Sequence, residues 1–431
     1  MSKKIENHLD VFEDRYELHQ AEGTTVYYQG IQNKETQARY EQINKELSNG
    51  YLETRIDLIS SMDFSKLSLE NRNLLKNLVN GITSEVGRAL VGLAFLQLVI
   101  KAICPKQSIR LHKGSPRKGS FSWIEGISMR TIDSNYSTPF LRKHGLLNVN
   151  KFGVFTTRSL AENYPYSSLY KAEMRGSFDD WIAIVDALEN EKMPAELGLC
   201  YLMALLKNKS DIFKELADKA CFLASNSTIK DFRSYKKIIV DFFNSTGYSA
   251  RAFEVAIHSF FQAMKENSLL QEFEIEPMSQ MRSANKKHGN VGDVELTQNK
   301  IIIEAWDAKY GKPYLRDELE ELRDKLLTHP ETKIAGFIVN TSVDLRKDII
   351  QRVKEINLEA GTDIYLFSFD DWIDFQTKDI AKEKLDKLGH KWLCAMVESL
   401  AQKRPDLAPI DEPCDEWIND IIRILEEKKK A

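Results

Sequence analysis

Several classes of function leave no mark on this chain of 431 residues. Its five cysteines, Cys104, Cys200, Cys221, Cys394 and Cys414, are scattered, with no C-x-x-C pair and no histidine at a partnered spacing. That argues against a disulfide framework and a zinc site, and the cysteines read as reduced thiols. No Walker loop Gly-x-x-x-x-Gly-Lys-Ser/Thr occurs, so nothing points to an ATP motor. No glycine-rich dinucleotide loop occurs either. No apolar run reaches the length of a membrane span. The nearest, Ala89 to Cys104, contains Gln97 and Lys101 and is too short, so a buried helix is expected there. No signal-peptide core follows Met1-Ser2-Lys3-Lys4-Ile5-Glu6, and a cytoplasmic protein is expected. The sequence shows no internal repeat.

What is present indicates a folded protein. Hydrophobic residues make up 42% and charged residues 29%, the balance of a globular chain. At this length two or three domains are expected. The net charge of −4 is uninformative, but its distribution is uneven. Between Lys101 and Lys151 ten lysines and arginines face only Glu125 and Asp133, a local net charge of +8. An otherwise acidic chain that gathers its cations in one segment is a candidate to bind a polyanion there.

Within that segment, Ser108 to Trp123 mixes cations with glycine, proline and aromatics and reads as a loop or hairpin edge. Arg110, Lys113, Arg117, Lys118, Arg142 and Lys143 are its candidate DNA-binding residues. Arginine and lysine can follow a phosphate backbone, and arginine can read a guanine edge. Ser137 to Leu147 reads as a short helix with Ser137 or Thr138 as cap, Pro139 in its first turn and Gly145 at its end. Leu147 to Phe155 reads as a hairpin, and Ser159 to Asn163 as a following helix. Helix, hairpin and helix over 137–163 are similar to part of a winged-helix unit, which serves either as a DNA reader or as a plain interaction module.

The chemistry-bearing residues come later. Gly292-Asp293-Val294-Glu295-Leu296 and Ile301 to Lys309 read as two short strands joined by a turn. They deliver Asp293, Asp307 and Lys309 to one end of a hairpin. With period 2, Asp307 and Lys309 share a face with Ile301, Ile303 and Ala305. Glu304 then falls on the other face and reads as structural or solvated, although a bulge would make it the alternative acid. Glu295 shares a strand face with Asp293 and could assist a second ion. Upstream, Phe253, Ile257, Phe260, Phe261 and Met264 recur at helical spacing, with Glu254 beside the stripe. Downstream, Leu315, Leu319, Leu322 and Leu326 form a second stripe. Ile334 to Val339 and Ile364 to Phe367 read as buried strands, with a helix over 343–357 between them.

This pattern resembles the PD-(D/E)xK nuclease superfamily, and type II restriction endonucleases most of all, over roughly Gly247 to Trp372. Asp293 matches the first acid and Asp307-Ala308-Lys309 the D-x-K element, while Gly292 stands where the family often has proline. Arg251-Ala252-Phe253-Glu254 resembles the start of the family's first helix, whose glutamate points to the metal. The other reading of Glu254 is a surface glutamate on an ordinary amphipathic helix.

The resemblance implies a Mg²⁺-dependent phosphodiester hydrolase acting on double-stranded DNA. Asp293 and Asp307, with the Ala308 carbonyl, would hold the ion, because magnesium takes oxygen ligands and keeps several waters. Lys309 would orient or deprotonate the attacking water, and burial can lower a lysine pKa. The catalytic set implied is Asp293, Asp307, Lys309 and Glu254. A sequence-specific cutter must spare its host, so a cognate DNA methyltransferase in the same system is implied. Double-strand cleavage calls for a homodimer or two successive events. Two further readings stand beside it: another nuclease of the superfamily directed at modified DNA or junctions, and a DNA-binding regulator with an inert nuclease-like domain.

The expected fold is therefore multidomain. A mainly α-helical N-terminal recognition part with a winged-helix-like segment precedes an α/β restriction-endonuclease-like domain with a central mixed sheet. The expected boundaries are a helical region over 1–85, a recognition region over 86–244, a nuclease domain over 245–400 and a helical tail over 401–431. Helices are also expected over 37–47, 67–104, 195–206 and 235–243. Separate recognition and cleavage parts resemble the type IIS arrangement.

Overall fold

Alternating side chains near the N-terminus build a sheet within the region 1–85 expected to be helical. This is a three-stranded antiparallel sheet of β1 (His8–Val11), β2 (Arg15–Gln20) and β3 (Gly23–Tyr28). Tyr16 and Leu18 of β2 turn inward and meet Tyr27, Leu111 and Trp123 in a small apolar cluster. The N-terminal part is thus not purely helical. In this computed structural model the described residues are 7–430 without 22, 83–84, 120, 175, 271, 279–288, 312–314, 344–345 and 405–413.

The chain divides into two compact units, one ending at Ile212 and the other beginning at Phe213. This differs from the boundary near 244 read from the sequence. The division falls within a long helix, Ala195–Ser225, and the C-terminal helix belongs to the second unit.

In the first unit follow α1 (Lys34–Ser48), α2 (Tyr51–Leu58), α3 (Leu69–Asn80), α4 (Glu85–Ile103), α5 (Met129–Ile132), α6 (Thr138–Lys143) and α7 (Phe178–Glu189). As expected, α4 is the buried helix of this unit. Gln97 and Lys101 within it are satisfied internally. Gln97 donates to the Ile109 carbonyl at 3.0 Å and accepts from Trp181 Nε1 at 2.8 Å. Lys101 Nζ donates to the Pro105 carbonyl at 3.0 Å and lies 3.4 Å from Glu189.

The winged-helix expectation is corrected. Pro139 does sit in the first turn of α6, and Gly145 follows it at φ +60°. The segment 147–155, however, forms turns and a short 3-10 helix, Val154–Thr156, in place of a hairpin. The cause is Asp133, whose buried carboxylate accepts from the Val154 N–H at 2.7 Å and the Thr138 hydroxyl at 2.8 Å. The expected helix after it is a 3-10 turn, Arg158–Leu160.

The helix α8 (Ala195–Ser225) leads into the second unit, which continues with α9 (Phe232–Ser245) and α10 (Ser249–Glu266). Its sheet has five strands in the order β4 (Glu274–Ile275), β5 (Val294–Gln298), β6 (Ile301–Lys309), β7 (Ile334–Val339) and β8 (Asp363–Ser368). β4 to β6 are antiparallel, and β6 to β8 run parallel. The helices α11 (Leu315–Thr328) and α12 (Lys347–Ala360) connect the parallel strands. The chain ends with α13 (Phe369–Thr377), α14 (Lys382–Leu400) and α15 (Asp415–Lys430). Sheet and helices together make this unit mixed α and β.

The two sheet faces are covered differently. Leu315, Leu319, Leu322 and Leu326 of α11 pack with Ile349 and Ile356 of α12 against Ala305, Ala335 and Phe337. On the opposite face, Phe253, Ile257, Phe260 and Phe261 of α10 gather with Trp306, Ile338, Trp372 and Trp392. Each fully buried leucine or phenylalanine contributes roughly 1.5–3 kcal/mol of transfer free energy, so both layers are fixed by apolar burial. Among the described residues no helix is long and apolar enough to cross a membrane.

Candidate active site

β5 and β6 meet in a two-residue turn, Asn299 and Lys300, both at positive φ (53° and 67°). Such a turn matches the twist of a hairpin. One irregularity follows. Leu296 pairs with Glu304, but Thr297 pairs with Ile302, so Ile303 is an extra residue in β6. The bulge corrects the face assignment: Ile302 packs on the α11 side with Ala305, while Ile301 lies exposed. Asp307 and Lys309 lie beyond the bulge and keep the α11 face.

Asp293 immediately precedes β5 and is locked in place from both sides. Its N–H donates to the Trp306 carbonyl at 2.9 Å, and its Oδ2 accepts from the Ala308 N–H at 2.9 Å. The first acid is thereby tied to the middle residue of Asp307-Ala308-Lys309. Since Ile303 and Lys309 carbonyls bond toward β7, the alternation of a strand turns the Ala308 carbonyl to the same edge as Asp293. Asp293, Asp307 and that carbonyl form an all-oxygen donor set suited to a hard divalent cation such as Mg²⁺.

Gly292 occupies a place that a larger residue or a proline would not fit. A Cβ there would lie 2.7 Å from the Trp306 carbonyl oxygen and 2.9 Å from its carbon. The Gly292 N–H, which proline lacks, donates to Glu295 Oε1 at 3.1 Å, and the Val291 N–H donates to the same oxygen at 2.5 Å. Glu295 therefore braces the turn that presents Asp293. Its carboxyl is buried, and burial raises its pKa. The expectation that it assists a second ion gives way to this positioning role.

Asp307 is only 8% exposed. Burial pushes its pKa well above the usual carboxylate range. The charge of Asp293 and a hydrogen bond between the two carboxyls push the same way, and Lys309 only partly opposes them. Two carboxyls this close call for a proton or a cation between them.

Lys309 Nζ lies 3.1 Å from Asp307 Oδ2 and 2.8 Å from Glu318 Oε2. Burial pulls its pKa down, but Asp307 and Glu318 outweigh burial and hold it above the ordinary lysine value. The expected depression is reversed, and Lys309 stands as an ammonium. Glu318, in the first turn of α11, was missed in the sequence. The available signal was an acid pair at the start of the helix that follows the D-x-K element.

The two remaining glutamates make other contacts. Glu304 faces the other way, as its alternation predicts. Its Oε1 accepts from Trp306 Nε1 at 2.5 Å and Gln376 Nε2 at 2.8 Å. Glu254 belongs to α10, which covers the Trp306 face, and its Oε2 accepts from Arg251 Nη1 at 2.5 Å. Among the described residues it forms no close three-ligand group with Asp293 and Asp307, and its ion pair with Arg251 fits the reading of a glutamate on an amphipathic helix.

A cleft of about 270 Å³ opens at the C-terminal ends of β7 and β8, bordered by Asn340, Thr341, Ser342, Ser368 and Asp370 and by Phe243 and Asn244 of α9. Its wall touches the end of β6, since the Asn340 N–H donates to the Lys309 carbonyl at 3.3 Å.

The six candidate DNA-binding cations fare unequally. Arg110 is buried. It donates to the Tyr166 carbonyl at 2.6 Å, to Asp186 at 2.5 Å and to Gln20 at 3.3 Å. An arginine so committed cannot read a base, so this expectation is corrected. Arg142 has an exposed stem, but Nη1 is tied to Asn148 Oδ1 at 2.9 Å and the Val149 carbonyl at 2.6 Å. Lys143 is exposed and lies 3.7 Å from Glu53. Arg117 and Lys118 are exposed at the tip of a hairpin-like loop. The Trp123 N–H closes that loop by donating to the Lys113 carbonyl at 3.0 Å. Lys113 is half-buried, 5.5 Å above the Phe121 ring.

No family model matches the chain, and a search of curated proteins finds no match.

Proposed function

We propose that this protein is a Mg²⁺-dependent DNA nuclease of the PD-(D/E)xK type, acting as a type II restriction endonuclease on a short double-stranded sequence. The observation that carries this reading is the joining of Asp293, Ala308, Asp307 and Lys309 at one strand edge of a mixed sheet. A Mg²⁺ ion held by Asp293, Asp307 and the Ala308 carbonyl would supply charge stabilisation at phosphorus and an activated water.

The chain's own residues do the rest. The Ala308 N–H and the Trp306 carbonyl orient Asp293 from two sides. Lys309, kept cationic by Asp307 and Glu318, positions the attacking water and offsets charge on the phosphoryl oxygens. Glu295 and Gly292 hold the turn that sets the distance between the acids. The first unit provides recognition, with Arg117, Lys118, Lys113 and Lys143 as phosphate contacts. The inert-regulator reading is disfavoured, because a domain without chemistry has no need of two adjoining buried carboxyls and a lysine.

The test is digestion of a sequenced plasmid, in methylated and unmethylated forms, with Mg²⁺ or EDTA, followed by end mapping. Breaks recurring at one short sequence with Mg²⁺ and vanishing with EDTA are expected. Cutting only of methylated plasmid would favour a modification-directed enzyme. Intact plasmid in every arm, with Mn²⁺ also tried, overturns the nuclease reading.

A further inference from the structure

We propose that β1 and β2 carry a second metal site, for a borderline transition ion such as Zn²⁺, made by His8, Asp10 and His19. The register places His8 directly across from His19, so the two rings project from one face of the strand pair. They stack at 4.2 Å between centroids, 11° from parallel. Asp10 follows His8 by two residues and so shares that face. Its Oδ2 lies 3.2 Å from His19 Nε2 and 3.8 Å from His8 Nε2. Among the described residues these three alone bring His, Cys, Asp or Glu ligand atoms all within 4.8 Å of one another.

Two features distinguish this trio from a surface ion pair. The first is the state of His19. Its Nδ1 lies 2.8 Å from the Thr24 hydroxyl, the outer contact that fixes the tautomer of a metal-binding histidine. When Nδ1–H is given to Thr24, the lone pair of Nε2 faces Asp10, 3.2 Å away. That nitrogen is shut off from solvent and makes no hydrogen bond of acceptable geometry. A lone pair held against a carboxylate oxygen calls for a proton or a metal cation between them, and two imidazoles beside one carboxylate are a ligand set for the metal.

The second feature is spacing. Zinc bonds of about 2.0–2.1 Å in a tetrahedron put neighbouring donor atoms about 3.3 Å apart. The separations of 3.2 and 3.8 Å are close to such edges. Two imidazoles and one carboxylate select zinc-like ions over magnesium. The site is therefore chemically distinct from the oxygen set at Asp293 and Asp307 and does not depend on the nuclease reading.

The test is calorimetric titration of Zn²⁺ into the full-length protein carrying Asp293→Asn and Asp307→Asn, which removes the competing carboxyl pair. One zinc per chain is expected. Affinity should fall at least about tenfold in His8→Ala and in His19→Ala, and about 10–100-fold in Thr24→Val, the scale for an outer-contact loss. Co²⁺ in place of Zn²⁺ should give visible d–d bands that are lost in His8→Ala. Because His8 is exposed on an edge strand, its variant should melt like its parent in EDTA, and only the parent should gain stability from Zn²⁺. Unchanged zinc affinity in His8→Ala and His19→Ala overturns the site, as does a cobalt spectrum dominated by thiolate charge transfer.

Discussion

The Ala308 N–H donates to Asp293 Oδ2 at 2.9 Å, so the first acid and the D-x-K element are held by one bond between adjoining strands. That bond separates charge from geometry. Asp293→Asn keeps an oxygen acceptor for Ala308 and loses the charge, whereas Asp293→Ala loses both. Both variants should cut Mg²⁺-supplied DNA at least ~100-fold more slowly, the scale for losing an electrostatic group. Only the alanine variant should also lose about 1 kcal/mol of stability. Single-turnover cleavage and denaturant unfolding read the two effects apart, and equal melting of both variants would show that the bond contributes nothing to stability.

Asp307 makes metal-free stability depend on pH. Its folded pKa lies above the ordinary 3.8, chiefly through burial and then through Asp293. A carboxyl raised in the folded state binds its proton more tightly there than in the unfolded chain. Its contribution is therefore fully present below pH 3.8 and is lost as pH rises through the folded value. Asp307→Asn should match wild type at the acid end and exceed it above that window. Each tenfold change in proton affinity is worth about 1.4 kcal/mol, or roughly 3–6 °C for a unit of this size. Thermal melts in EDTA across pH 4–8 would measure it. A variant less stable than wild type at pH 8 would mean that the ion pair with Lys309 outweighs burial.

The close approach of Gly292 to Trp306 predicts that a proline at this position fails. Gly292→Pro removes the N–H bonded to Glu295 and drives a Cβ toward the Trp306 carbonyl. Cleavage should drop at least ~10-fold, with a stability loss of about 1–3 kcal/mol. Gly292→Ala, which keeps the N–H, should fall between. A proline variant as active as wild type would show that the turn rearranges freely.

How much of this was legible varied with the range of the contact. Asp293, Asp307 and Lys309 stood out because a β-branched run and a two-residue turn make a local hairpin. The leucine stripe of α11 was equally plain, since Leu315, Leu319, Leu322 and Leu326 repeat at one helical spacing. The bulge at Ile303 left no signature, because three consecutive isoleucines satisfy either register. Glu254 stayed open between two readings because periodicity shows that a helix has an apolar face but not which sheet face it covers. The sheet at His8–Tyr28 was readable in Tyr16, Leu18 and Tyr27, but its strands carry so many polar residues that the alternation was overlooked. Arg110 was beyond reach altogether: its partners Tyr166 and Asp186 lie far along the chain.

Arg110, Arg117 and Lys118 are close in sequence yet should behave as opposites. Arg110 is buried against Asp186, Tyr166 and Gln20. Breaking a fully buried pair costs about 3–5 kcal/mol. Asp186 keeps 35% of its side chain in solvent, so Arg110→Ala should cost less, about 1–3 kcal/mol. At temperatures where it stays folded, its DNA affinity and salt dependence should match wild type. Arg117 and Lys118 are exposed and make the reverse case. Arg117→Ala with Lys118→Ala should leave melting within ~0.5 kcal/mol. If both touch phosphate, the slope of log affinity against log salt should flatten by about two, with cognate and non-cognate DNA weakened alike. Binding in Ca²⁺ at several salt concentrations, beside thermal melts of the same preparations, tests both halves. An unchanged salt slope in the double variant would remove this loop from the DNA interface. A weaker salt slope in a fully folded Arg110→Ala would return Arg110 to it.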